Sequence, residues 1–213
     1  MPTLNVFKYT TRKSNLHLRV ARGHFATSNC HSNYYIDVVA QKSRLSEAKA
    51  VAEELRSYYY ADTVVDTILC LDGTEVIGTC LAEALSRADF INMNAHKSIY
   101  VVTPEYTGGN QMLFRDNIIP MIEGKNVMIL AVSVASGKTA ESAVDAVKYY
   151  GGTVSGISAI FSTAKECRGL PVRSVFDPND LLDYECYPAH DCPLCKQGQK
   201  VDALVNSHGF SKL

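Results

Sequence analysis

The chain has 213 residues, 46% of them hydrophobic and 20% charged, enough for one domain with a sizeable core and too few for two large ones. Lys and Arg number 21 against 22 Asp and Glu, a net charge of −1, and that balance argues against gripping nucleic acid by bulk charge. No apolar run reaches the ~18 residues of a membrane span, the first eight residues lack a signal-peptide core, and the seven cysteines read as reduced thiols of a cytoplasmic protein.

The first forty residues are polar and aromatic without a clean period, and no element is predicted there. Leu45, Ala48, Val51, Ala52 and Leu55 recur at helical spacing and predict one buried face, with Ser43 or Ser46 as the N-cap. Residues 64–71 are β-branched and apolar and read as a buried strand. Asp72-Gly73-Thr74 turns the chain into a second helix carrying Val76, Ile77, Cys80, Leu81, Ala84 and Leu85. Residues 98–103 and 126–132 are further strands. The latter breaks at Ala135-Ser136-Gly137-Lys138-Thr139 into a helix with Ala143, Val144, Ala146, Val147 and Tyr150, stopped by Gly151-Gly152. Residues 154–161 and 172–176 complete the pattern. Apolar strands alternating with helices imply an α/β fold around a parallel sheet. Ligands of such sheets bind beyond the carboxyl ends of the strands, which singles out the loops at Asp72–Thr74 and Ala135–Thr139.

A strand, a loop of small residues and a helix N-terminus make an anion cradle, because the first N–H groups of a helix have no carbonyl partner and carry partial positive charge. Gly137-Lys138-Thr139 is not a nucleoside-triphosphate P-loop, since Val132 stands where that motif requires glycine. The plain alternative is an ordinary strand-to-helix turn with Thr139 as its cap.

The frame Leu130–Thr139 resembles the ribose-phosphate loop of type I phosphoribosyltransferases, and other segments resemble the orotate branch of that family. Residues 23–37 are similar to its N-terminal signature, with Asn29 in a glycine position. Cys70–Gly78 stands in the place of its pyrophosphate loop, and Asp191–Lys196 resembles the C-terminus of some orotate enzymes. The resemblance spans about residues 20 to 198. It implies a three-layer parallel-sheet phosphoribosyltransferase-like fold, a single domain over 1–213 with its core at about 43–176. A small hood is formed by the N-terminal segment (about 1–42) and the C-terminal tail (about 177–213). It also implies a homodimer and a small-molecule ligand containing phosphorylated ribose. The expected reaction is transfer of a phosphoribosyl group from Mg2+-bound phosphoribosyl pyrophosphate to a base, orotate being the nearest match. Under this resemblance Ala135, Ser136, Gly137, Lys138 and Thr139 hold the 5′-phosphate. Asp72, Gly73 and Thr74 hold the pyrophosphate, and Phe25, Ser28, Tyr34 and Tyr35 line the base side. A cover for a sheet edge is the other reading of those aromatics.

Two positions depart from the family. Its acidic pair, which receives the ribose hydroxyls, falls on Ala131 and Val132. Two lost charged hydrogen bonds would weaken ribose binding by about 3–6 kcal/mol, roughly a hundredfold to ten-thousandfold. Ser133 offers a neutral hydrogen bond on the ribose side. Between Ser98 and Gly124, where orotate enzymes carry lysines and a histidine, the basic residue here is Arg115. Arg115 is the candidate catalytic residue, neutralising departing pyrophosphate, or it pairs with Asp116 or another surface acid. His96 and Lys97, at a strand start, are further candidates to face the site. These departures leave a second function open, a non-catalytic paralogue that binds a nucleotide or sugar phosphate as a sensor or regulatory subunit. A third is a phosphate-ester enzyme of different chemistry.

Cys192-x-x-Cys195 has the form of half a zinc site. A second pair would have to be Cys186 and His190, a spacing common by accident, so the tail is expected to hold structural thiols and no metal. Tyr58, Tyr59 and Tyr60 are expected to serve packing.

Overall fold

The structure, a computed structural model, describes residues 5–10, 16–28, 30–88, 91–109 and 111–213. Its elements in chain order are β1 (Phe7–Thr10), β2 (His17–Ala26), β3 (His31–Asp37), α1 (Val39–Ser43), α2 (Leu45–Arg56), β4 (Thr67–Cys70), α3 (Glu75–Ser86) and β5 (Tyr100–Val102). There follow β6 (Glu105–Tyr106), β7 (Met112–Leu113), β8 (Asn126–Val134), α4 (Lys138–Tyr149), β9 (Thr153–Ser162), β10 (Glu166–Cys167) and β11 (Leu170–Phe176). The tail adds β12 (Cys186–Tyr187), α5 (Pro193–Lys196), β13 (Ala203–Asn206) and β14 (Gly209–Lys212). Two compact units result: Met1–Ala40 with Phe176–Leu213, and Gln41–Val175.

The unit Gln41–Val175 holds a sheet in the order β10-β11-β9-β8-β4-β5. The pairs β4/β5, β4/β8 and β8/β9 are parallel, the arrangement that alternating apolar strands and helices predict. All four residues of β4 are buried, as is the stretch Val127–Val132 of β8, because helices take the place of solvent beside such strands. On α4 the face Ala140, Ala143, Val144 and Val147 packs with Val127, Ile129, Ala131 and Ile157 of the sheet. Two glycines permit close approach. A β-carbon on Gly78 of α3 would run into the Cys70 sulfur of β4, and one on Gly156 of β9 would lie 2.5 Å from Cε1 of Tyr59. Tyr59 is buried there and its hydroxyl bonds Ser158 Oγ at 2.7 Å. Tyr58 and Tyr60 lie under the guanidinium groups of Arg173 and Arg56. The tyrosine run packs, as its sequence suggests.

Local details differ from the expectations. Leu45 is 58% exposed: as the first residue of α2 it precedes the turn at which the buried stripe Ala48, Val51, Ala52 and Leu55 begins. Neither Ser43 nor Ser46 caps that helix; Arg44 occupies the N-cap with extended backbone and no capping hydrogen bond from its side chain. The N-cap of α4 is Gly137, not Thr139. Val76 of α3 is exposed, while Ile77, Cys80, Leu81, Ala84 and Leu85 are buried.

The other unit carries the largest difference, since the first forty residues contain three strands. Its sheet runs β12-β3-β2-β13-β14, with β1 also on β2. The β2/β3 pair is antiparallel with a register shift between Arg22 and Phe25, and β13 lies parallel to β2. Along β2 buried and exposed positions do not alternate, so the strand hides its period. No helix among the described residues is long and apolar enough to cross a membrane.

Candidate functional site

β8 ends at Val134, and its carbonyl accepts from Ser162 Oγ at 3.1 Å and from the Thr163 N–H at 3.0 Å. Thr163 Oγ1 also donates to the Ala135 carbonyl at 3.1 Å. The end of β9 therefore pins the start of the loop. Gly137 then turns with φ 78° into α4, a left-handed conformation that glycine adopts without cost. The first helical bond is Glu141 N–H to the Gly137 carbonyl at 2.8 Å, so the N–H groups of Lys138, Thr139 and Ala140 have no carbonyl ahead of them in the helix. Ser136, Lys138 and Thr139 are exposed and Ala135 and Gly137 half-buried. A β-carbon on Gly137 would meet open space. The five residues expected to hold phosphate form an open cradle at the positive end of a three-turn helix.

The second loop lies at the carboxyl end of the neighbouring strand. The Leu71 N–H donates to the Leu130 carbonyl at 2.8 Å. The buried Thr74 hydroxyl bonds the carbonyls of Leu71 and Leu130 at 2.9 and 3.1 Å. Thr74 thus ties this loop to β8 and does not offer its hydroxyl to a ligand. Asp72 and Gly73 both take positive φ, 58° and 78°, which carries the chain round between Leu71 and α3. One cation was missed in the sequence: Lys42 Nζ donates to the Asp72 carbonyl at 2.7 Å and would lie 3.3 Å from a β-carbon on Gly73. Burial pulls its ammonium below the usual lysine range, with Asp72 and Glu75 opposing. No local motif marks Lys42, whose value comes from a loop thirty residues on. Tyr106 is also near Asp72: burial first, then the Asp72 charge, raises its phenol.

At the positions expected to face ribose, Ala131 and Val132 are buried and apolar, and Ser133 is exposed. No carboxylate stands in either position of the family's acidic pair.

Other candidates are engaged by partners of their own. Arg115 is held by Glu105, whose Oε2 accepts from Nε at 2.9 Å and from Nη2 at 2.6 Å, so the surface-acid alternative describes its contact, with Glu105 in place of Asp116. Lys97 lies 3.3 Å from Asp66, just before β4, at the amino ends of the parallel strands and hence opposite the loops. Phe25, Tyr34 and Tyr35 are buried in their own unit. Phe25 and Tyr35 pack with Ala21 and Ala203. Tyr34 Oη donates to the Leu182 carbonyl and accepts from Arg22 Nε, both at 2.6 Å. The aromatic rings are thus engaged in packing and hydrogen bonds within their own unit. Ser28 is exposed, and Asn29 lies outside the described residues.

The tail cysteines are unpaired by disulfides, and their neighbours are not Cys186 and His190. Cys192 and Cys195 converge with His24 and His31, and the four ligand atoms lie within 4.8 Å of one another.

No family model matches the chain. It is 27% identical over 186 residues to an orotate phosphoribosyltransferase of Thermus thermophilus, covering 85% of this chain and 92% of that one. It is 28% identical over 195 residues to the orotate phosphoribosyltransferase of Wolinella succinogenes, covering 84% and 87%. Among solved structures, the Mycobacterium tuberculosis orotate phosphoribosyltransferase in complex with 5-phospho-α-D-ribosyl 1-diphosphate superposes with a TM-score of 0.52 at 18% identity, covering 70% of this chain and 83% of that one. The parallel sheet with its two loops at the carboxyl ends is a phosphoribosyltransferase fold. In sequence the chain is similar to orotate phosphoribosyltransferases, and in fold to phosphoribosyltransferases more widely.

Proposed function

We propose that the protein is a phosphoribosyltransferase of nucleotide metabolism that takes phosphoribosyl pyrophosphate as donor and a base of the orotate type as acceptor. The observation that carries this reading is the open cradle Ala135–Thr139 at the start of α4, whose backbone donors need no acidic partner. In this reading the cradle holds the 5′-phosphate. Asp72 and Gly73 shape the pyrophosphate side, and Lys42 and Lys138 supply the positive charge that departing pyrophosphate requires. Arg115 adds to it when it leaves Glu105 for the ligand, an exchange between two anions on one guanidinium. Ser133 is the one side-chain donor proposed for the ribose. Cytoplasmic work and a homodimer belong to the same reading.

Mg2+ fits this site on one side only. Asp72 provides a carboxylate at the pyrophosphate loop, whereas Ala131 and Val132 provide no side-chain oxygen. The ion would therefore be held chiefly by the donor's own phosphates, as Mg2+ commonly is, where it would neutralise phosphate charge. Transfer is accordingly expected to be slow and donor affinity weak, while ribose 5-phosphate binding survives.

Titration calorimetry with ribose 5-phosphate and with phosphoribosyl pyrophosphate, each with and without Mg2+, tests this alongside orotate consumption. Binding of both ligands with slow, Mg2+-dependent turnover is the expected result. Binding of ribose 5-phosphate with no turnover of any base would favour the non-catalytic paralogue instead. Failure to bind either ligand would remove both readings.

A further inference from the structure

We propose that His24, His31, Cys192 and Cys195 form a structural zinc site that staples the C-terminal tail to the β2–β3 hairpin. The site is independent of the phosphate cradle, and its residues all belong to the unit Met1–Ala40 with Phe176–Leu213. It revises the expectation that the tail cysteines hold no metal.

Local folding aims the four ligands at one another. His24 lies in β2 within the register shift between Arg22 and Phe25, and a bulge of this kind re-aims a side chain. His31 opens β3, opposite Ala26, and the two imidazole centroids are 5.0 Å apart. Cys192 is the N-cap of the one-turn helix α5 and Cys195 lies inside it, so the i, i+3 spacing puts both sulfurs on one side. The turn closes through Lys196 N–H to the Cys192 carbonyl at 3.1 Å and Gly198 N–H to the Cys195 carbonyl at 2.9 Å.

Four of the six distances between ligand atoms lie between 3.0 and 3.7 Å, close to those of a tetrahedron around one ion. His24 Nε2 is 3.0 Å from His31 Nδ1, 3.6 Å from Cys192 Sγ and 3.7 Å from Cys195 Sγ, and Cys195 Sγ is 3.3 Å from His31 Nδ1. Zinc–nitrogen and zinc–sulfur bonds of ordinary length in tetrahedral geometry separate the ligand atoms by about 3.3 to 3.8 Å.

Hydrogen bonding alone does not account for this convergence. The Gln199 carbonyl lies 2.9 Å from His24 Nδ1, and a carbonyl can only accept, so Nδ1 carries the hydrogen. In the neutral ring Nε2 then carries a single lone pair, directed at three heteroatoms at once. One lone pair cannot accept three hydrogens, but it can bind one cation. A backbone carbonyl fixing the far nitrogen is also the usual support of a metal-bound histidine. His24 is fully buried, and its backbone is held on both sides: its N–H donates to Asp202 Oδ2 and its carbonyl accepts from the Asp202 N–H, each at 2.7 Å. Two thiolates and two imidazoles suit zinc, and a set of four protein ligands leaves no open position for water, which makes the site structural and not catalytic.

The test uses the full chain purified under reducing conditions without chelator. Elemental analysis should find about one zinc per chain. Cobalt exchanged into the protein should give the intense visible bands of a tetrahedral ion and a thiolate-to-metal charge-transfer band. Cys195→Ser, at an exposed position, and His31→Asn should each reduce zinc content severalfold or more. Cys186→Ser should retain it, because Cys186 lies outside the cluster. Less than about a tenth of a zinc per chain after incubation with a stoichiometric amount would overturn the proposal. So would an octahedral cobalt spectrum, a Cys192–Cys195 disulfide in the freshly purified chain, or undiminished zinc in Cys195→Ser. The unsubstituted protein decides the matter if the variants fail to fold.

Discussion

Gly137 carries the turn from β8 into α4, and its φ of 78° makes it the position where a single methyl tests the cradle. Open space surrounds the place of its β-carbon, so Gly137→Ala meets no clash, only the left-handed penalty of about 1 kcal/mol. The expected outcome is a small fall in melting temperature with a larger fall in ribose 5-phosphate affinity, because a displaced loop no longer aims its N–H groups at one point. Calorimetry and thermal melts measured on the same samples separate the two effects. Unchanged affinity would show that phosphate does not sit there. A companion variant, Ala131→Asp with Val132→Asp, restores the family's carboxylates. Tighter binding of phosphoribosyl pyrophosphate is expected, together with a lower melting temperature, since both positions are buried and an unpaired carboxylate there pays for its desolvation. Weaker donor binding in a well-folded double variant would mean that β8 does not present these positions to ribose.

Asp66, just before β4, joins three segments at the amino ends of the strands. Its Oδ2 accepts from the Asn126 backbone N–H at 2.9 Å and amide at 2.7 Å, and Oδ1 faces Lys97 Nζ at 3.3 Å. Burial alone would raise its carboxyl, but the Asn126 donors and the Lys97 ammonium together outweigh it and hold it below the usual range. A depressed carboxylate stabilises the fold above its unfolded-state value, and that stability is lost as pH falls through the folded-state value. Asp66→Asn should therefore lower the melting temperature at pH 7 and flatten its decline below about pH 4. Parallel acid limbs in the two proteins would refute this role. The same elements show what sequence patterning reveals. α2, α3, α4 and the strands β4, β5, β8 and β9 stand near their predicted places because each has a strong period or an apolar run packed on neighbours. β1, β2 and β3 were not legible, since the irregular burial of β2 and its register shift at Arg22–Phe25 erase the two-residue period. Of the site, the cradle was readable as a local strand-loop-helix pattern. Lys42, thirty residues before its loop, was not. Nor were the histidines that meet Cys195, at sequence separations of 171 and 164, because only the folded topology brings them together.

At the scale of the molecule, one unit is assembled from both ends of the chain, Met1–Ala40 with Phe176–Leu213. A unit of roughly 80 residues has a modest core and gains much from a metal or disulfide staple. Here the cysteines form no disulfide, and the tail is joined to β2 by the short parallel register Ala203–Phe25 and Leu204–Ala26 and by Asp202. If zinc links His24 and His31 to Cys192 and Cys195, removing it should loosen this unit selectively. Hydrogen exchange on the full chain, before and after treatment with a strong chelator, is the measurement. Protection should fall in β2, β3, α5 and β13, whose hydrogen bonds then open locally, while β4, β8 and β9 of the other unit keep theirs and ribose 5-phosphate still binds. Adding back zinc, but not magnesium, should restore the original exchange pattern, since the thiolate and imidazole ligands favour zinc. Equal loss across both units would mean that the chain unfolds as one cooperative block, and no loss in β2 or the tail would mean that the staple contributes nothing to their stability.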